Sequence, residues 1–180
     1  MSRLTPRLID FIRKQHLFFV ATAMKDGHIN LSPKGLDSLK VINENRVLWL
    51  NLTGSGNETA THLMHNERMT LMFCAFEGPP MILRLYGSAR ACHPHDSLWE
   101  ESIDFFPNKA GARQLIDLHI ELVQISCGFG VPLMDYRQQR QELVEWAESQ
   151  GEEGLRKYRE RKNTTSLDGH TTDISNTTKP

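Results

Sequence analysis

The sequence predicts a mainly β protein with flanking helices, built on a six-stranded antiparallel closed sheet. Six short β-prone runs lie close together along residues 17–127, turn residues separate the paired runs, and few helical patterns come between them. A doubly wound sheet would place a helix after nearly every strand. At 180 residues, 39% hydrophobic and 24% charged, the chain has the size of one globular domain with appendages.

The first element is a helix over "TPRLIDFIRKQ" (5–15), where Thr5 caps, Pro6 suits the first helical position, and Leu8, Phe11 and Ile12 share a face. "LFFVATAM" (17–24) and "HINLSP" (28–33) flank "KDG" and read as a hairpin. "RVLWLN" (46–51) is a third strand, followed by a short helix after the Gly-rich stretch "GSGNETATHL" (54–63). "RMTLMFCAF" (68–76) and "PMILRLYGSARACH" (81–93) form a longer hairpin around "EGPP". Residues 96–116 read as helical with a break at Pro107. "DLHIELVQISC" (117–127) is the last strand: Leu118, Ile120 and Leu122 alternate with polar residues, and the phase then shifts to Val123 and Ile125. The expected organisation is a barrel domain over 1–135, an amphipathic helical extension over 136–162 with Leu143, Trp146 and Ala147 on one face, and a disordered Thr- and Asn-rich tail over 163–180.

A net charge of −1 offers no global reason to expect nucleic acid or an anionic membrane as partner, and "YRERK" (158–162) reads as a solvated helix end. No apolar run reaches the roughly 18 residues of a membrane span. Three widely spaced cysteines (Cys74, Cys92, Cys127) fit reduced thiols in a cytoplasmic protein, so the N-x-T triplets at Asn51, Asn57, Asn163 and Asn176 carry little weight as glycosylation sites. His93 and His95 beside Cys92 have no second pair at ligand spacing, and no metal site is expected. No Ser, His and Asp order suggests acyl transfer.

The chemistry concentrates instead around "GSGNETATHL". Free N–H groups and short hydroxyl and amide side chains before a helix suit either a phosphate or an ordinary capped turn. Its setting resembles the flavin-binding split barrels of the pyridoxamine-phosphate-oxidase-like family. The resemblance covers about residues 5–135 and rests on element order with "NLSPKG" (30–35), "NLTGSGNETATHL" (51–63) and "ILRLYGSARA" (82–91). The closing "CGFGVPLMDY" (127–136) is similar to the barrel end of an uncharacterised subgroup.

The resemblance implies a six-stranded split barrel, a homodimer and FMN bound at the dimer interface. It assigns Ser32, Lys34, Gly35, Asn51, Thr53, Gly54, Ser55, Gly56, Asn57, Thr59, Thr61 and Arg84 to cofactor binding. Glu58 would have to turn away from a phosphate or pair with a cation. The chain departs from the true oxidases at Met81 and Ile82, where those enzymes carry an Arg-Gln pair, and it has no counterpart of their C-terminal substrate clamp. The expected function is therefore an FMN-dependent oxidoreductase acting on another small-molecule substrate or electron donor, with negligible turnover of pyridoxamine phosphate. The alternatives are a non-catalytic flavin- or haem-binding protein, with His62, His65 or His93 as axial ligand, and a deazaflavin-dependent reductase.

Overall fold

The computed structural model describes residues 1–107 and 109–174. Its elements are α1 (Pro6–Arg13), β1 (Phe18–Thr22), β2 (Asn30–Lys34), β3 (Leu39–Asn43), β4 (Arg46–Leu52), α2 (Glu58–His65), β5 (Arg68–Cys74), β6 (Ile82–Cys92), α3 (Ser97–Ser102), β7 (Ala112–Ser126) and α4 (Glu142–Lys162). The strands form one curled antiparallel sheet in the order β2-β1-β5-β6-β7-β4-β3, a split barrel. The sheet has seven strands rather than six. The addition is β3, a partly exposed edge strand whose "LKVIN" follows a polar turn and shows no clean alternation.

Why these residues form these elements is plain in the core. Val20, Leu71, Leu83, Leu85, Leu118 and Val123 project inward from neighbouring strands, and Leu8 and Ile12 of α1 close over them. Thr5 caps α1 by accepting the Leu8 N–H at 3.4 Å. Strand β4 is apolar on both faces because it separates two cores: Val47 and Trp49 face the main one, while Leu48 and Leu50 meet Cys92, Phe106 and Leu115. Trp99 packs against that second cluster.

The phase change along the last strand comes from a shift in its pairing register. Tyr86 pairs with Leu122 but Gly87 with Ile120, so Glu121 is an extra residue in a β-bulge. Gly87 is required there, since a Cβ would lie 1.8 Å from the His119 carbonyl oxygen.

Two further expectations are corrected. Residues 96–116 hold only α3 and a 3-10 turn at Ile103–Phe105, and from Ala112 onward they belong to β7. Gly111 adopts φ +71° and reverses the chain there, a conformation that ends a helix. The stretch 163–174 is ordered: Asn163, Ser166 and Thr172 are buried, Thr165 bridges Thr171, and the Leu167 N–H donates to Glu58. Polar side chains hold this stretch by hydrogen bonds, which a count of apolar residues does not register. Residues 175–180 lie outside the described residues. Helix α4 is interrupted at Gly151 (φ 62°, ψ 178°), which lets its second half return to the sheet.

Candidate functional site

Strand β2 ends at Lys34, and a tight turn follows. Leu36 and Asp37 both take left-handed backbone (φ 61° and 50°), a costly state for non-glycine residues. The Ser38 hydroxyl donates to the Gly35 carbonyl at 2.6 Å, and Gln139 accepts from the Leu36 N–H at 3.1 Å while donating to the His16 carbonyl at 2.9 Å. A Cβ on Gly35 would sit 2.8 Å from the Gln139 side-chain oxygen, so a larger residue there would push Gln139 off the turn. This turn aims Lys34 into a cavity of about 390 Å³ between β2, the end of β4 and the loop Thr53–Gly56.

Nine of the residues assigned from the sequence, Ser32, Lys34, Gly35, Asn51, Thr53, Gly54, Ser55, Gly56 and Thr59, line this one cavity. Asn30, Trp49, Glu58, Arg113 and, from α4, Leu143 also contribute to its wall. Three assigned residues lie elsewhere. Asn57 is buried behind the loop with both side-chain polar atoms unpartnered, and Thr61 is buried in α2, its hydroxyl donating to the Asn57 carbonyl at 3.1 Å. Arg84 lies on the outer face of the sheet, where it donates to the Ser126 hydroxyl at 3.2 Å. Glu58 has its Oε1 bound by the Leu167 N–H at 3.0 Å, which engages its charge on the C-terminal stretch.

The residue that sequence reading missed is Arg113. It is buried, its Nη1 donates to Asn163 Oδ1 at 2.8 Å, its Nη2 donates to Asn51 Oδ1 at 3.3 Å, and its Nε has no partner among the described residues. It fell within the stretch 96–116 that reads as helical; the available signal was Gly111 followed by a run able to form a strand. Arg159 was also missed. Within the supposed solvated "YRERK" it reaches back to donate to Thr53 Oγ1 at 2.9 Å and to the Ala112 carbonyl at 2.9 Å.

Lys34 and Arg113 thus converge at the cavity with Arg159 behind them, and among the described residues no carboxylate forms an ion pair with any of the three. Glu58 also lines the cavity, but its Oε1 is taken up by the Leu167 N–H. Burial, then the Arg113 charge, lowers the Lys34 pKa from 10.5 to about 8. Burial, then Arg159, lowers that of Arg113 to about 10, against a small opposing effect of Tyr158. Burial alone lowers that of Arg159. The Lys34 ammonium lies 5.1 Å from the centre of the Trp49 ring, which softens the cost of holding the charge there. Such a group of cations attracts an anion with several negative oxygens. The other wall, with Trp49, Leu50, Leu52, Pro33 and Leu143, offers an apolar slot. Among the described residues no group of three or more His, Cys, Asp and Glu side chains is placed to hold a metal ion.

A split barrel with a cavity cationic at one end and apolar along its wall defines a class of small-ligand-binding proteins. The chain belongs to the pyridoxamine 5'-phosphate oxidase family, whose family model matches residues 4–127. It is 44% identical over 137 residues to the pyridoxamine 5'-phosphate oxidase family protein ustO of Aspergillus flavus. That alignment covers 73% of this chain and 55% of the relative, so the chain spans about half the length of the curated relative it matches. Among solved structures it is similar to HupZ of Group A Streptococcus (19% identity, TM-score 0.59, 69% of this chain and 94% of that one). It is also similar to HutZ, the heme storage protein of Vibrio cholerae (18% identity, TM-score 0.51, 69% and 94%). At these identities the likeness is one of fold. Among the described residues no helix is long and apolar enough to cross a membrane.

Proposed function

We propose that this chain binds FMN in the cavity behind Lys34 and works as a flavin-dependent oxidoreductase on a small-molecule substrate or electron donor. Three buried or half-buried cations that converge with no carboxylate paired to them among the described residues carry this reading. A fold that leaves such charges uncompensated gives up stability unless an anion completes the site. Lys34 and Arg113 suit the phosphate, Ser32 and Thr59 offer hydrogen bonds to ribityl hydroxyls, and the wall with Trp49 and Leu50 suits an apolar ring, while Asn51 and Thr53 hold Arg113 and Arg159 in place. When bound, the flavin supplies hydride acceptance and the protein supplies binding and orientation.

The homodimer expected of such a barrel has support in its outer face. Leu31 and Leu122 are 65% and 49% exposed there, and Phe19, Met72 and Tyr86 lie between them on the same face of successive strands. Arg84 sits within that face, so it would meet a flavin only across a dimer contact. Free Cys74, Cys92 and Cys127 suit a reducing cytoplasmic setting.

The haem alternative has weaker support. His62 does not line the cavity and holds Thr22 at 3.1 Å, His65 packs against His170, and His93 stacks on His95. The decisive experiment titrates the purified protein with FMN and with riboflavin. FMN should bind at least about a hundredfold tighter, since each charge-assisted contact to the phosphate is worth roughly 1.5–3 kcal/mol. Equal affinities would overturn the assignment.

A further inference from the structure

We propose that Asn163, at the end of α4 and beyond the matched family segment, is the residue that makes this site select a phosphorylated ligand; the inference rests on the flavin reading above. Its role follows from what its amide touches. Asn163 is fully buried. Its Oδ1 accepts from Arg113 Nη1 at 2.8 Å, and its Nδ2 donates to the Gly54 carbonyl at 2.9 Å. One side chain therefore ties the buried guanidinium to the Gly-rich loop.

The chemistry of an amide suits this task in two ways. As a neutral acceptor it satisfies an Arg113 N–H without cancelling the positive charge, which a carboxylate in the same place would do. As a donor it engages the Gly54 carbonyl, an oxygen beside the cavity that would otherwise repel an anion. Arg159 does the same for Thr53 Oγ1 and for the carbonyls of Gly111 and Ala112. Acceptors around the cation end are thereby engaged from behind, while Arg113 Nε is left unpartnered. The backbone holds Asn163 in place: its N–H donates to the Arg159 carbonyl at 2.7 Å, and its carbonyl accepts from the Thr172 hydroxyl. The α4 end and the stretch after it are in this sense part of the phosphate subsite.

The test compares the parent chain with Asn163→Asp and Asn163→Ala, measuring Kd for FMN and riboflavin and the thermal midpoint without ligand. A second arm uses inorganic phosphate alone and follows the rise in midpoint. Asn163→Asp places a carboxylate on Arg113, so the FMN-over-riboflavin preference should fall by about tenfold or more, and stabilisation by phosphate should vanish. Riboflavin affinity should stay within about threefold, since no charged group meets it at that end. Asn163→Ala should lower the same preference by a smaller factor. An unchanged preference in Asn163→Asp, or equal losses for FMN and riboflavin, would overturn the proposal and leave Asn163 a structural residue. If Asn163→Asp does not fold, the outcome for Asn163→Ala decides. Should the parent protein respond to phosphate but bind no flavin, the flavin reading falls, and loss of the phosphate response in Asn163→Asp still supports the role of Asn163. No response of the parent to either probe overturns both.

Discussion

Two arginine clusters share strand β7, and they are built in opposite ways. Around Asp117 the charges are matched: Arg46 grips the carboxylate through Nε at 2.8 Å and Nη2 at 3.1 Å, and Arg90 adds a contact at 3.5 Å. The Arg46 pKa is raised, first by its hydrogen bond to Asp117. Around Arg113 on the same strand the hydrogen-bond partners among the described residues are amides, and burial, then the Arg159 charge, lowers its pKa to about 10. A cation that the fold uses for itself carries its counter-charge with it. A cation left without one, in a cavity wall, is held for a ligand at some cost to the empty protein.

The largest expected effect breaks the Arg113 side of this comparison. Arg113→Met should weaken FMN binding by about a hundredfold or more, because two charge-assisted bonds to a phosphate go with it. Riboflavin affinity should barely move. In the apo-protein the relief of a buried charge and the stranding of two amide oxygens oppose each other, so stability should change by no more than about 1–2 kcal/mol. Paired flavin titrations and a urea melt read both quantities. A loss of about 3–5 kcal/mol without ligand would instead mark Arg113 as structural.

The matched cluster should behave the other way. Arg46→Met leaves Asp117, whose side chain is mostly buried, with the longer contact to the exposed Arg90, through which solvent recovers part of the loss. Apo stability should fall by about 1–2 kcal/mol, between the values for surface and buried pairs. The FMN-to-riboflavin ratio should stay as it is. A changed ratio would show that the two clusters are coupled through β7 and that the contrast is false.

The same contrast explains what could be read from the sequence. Hairpins, the buried β4 run and the polar loop 51–59 follow local patterns of period, turn residues and composition, and the structure gathers most of that loop with Lys34 in one cavity. Arg113 and Arg159 follow no local pattern. What makes them site residues is the absence of a carboxylate and the approach of α4, both of which are decided by tertiary packing. Asn163 was hidden in a polar tail whose order comes from hydrogen bonds rather than apolar burial. For Arg84 the apolar neighbours Leu83 and Leu85 do not decide which way the side chain faces; strand alternation puts it on the outer face, opposite Met72 and Gln124.

The smallest effect sharpens the cluster by pH. Lys34 has a folded pKa of about 8 against an ordinary value of 10.5, so between these pH values the unfolded chain binds more protons than the apo-protein. The contribution of Lys34 to apo stability therefore rises as pH climbs from about 8 to 10.5 and is lost as pH falls back through 8. FMN affinity should run in the opposite direction. The phosphate is doubly charged above about pH 6, and Lys34 carries its charge below about pH 8. Affinity should thus be greatest between these values and then weaken as binding has to recruit a proton to Lys34. The fall from pH 7 to pH 9 should approach about tenfold, since a shift of one pKa unit corresponds to a factor of ten. Lys34→Arg keeps its charge at both pH values, so this variant should flatten the profile. Riboflavin, which lacks the phosphate, serves as the control and should show little dependence in either protein. A profile equally steep in Lys34→Arg would remove Lys34 from the phosphate end and leave Arg113 and Arg159 to hold it.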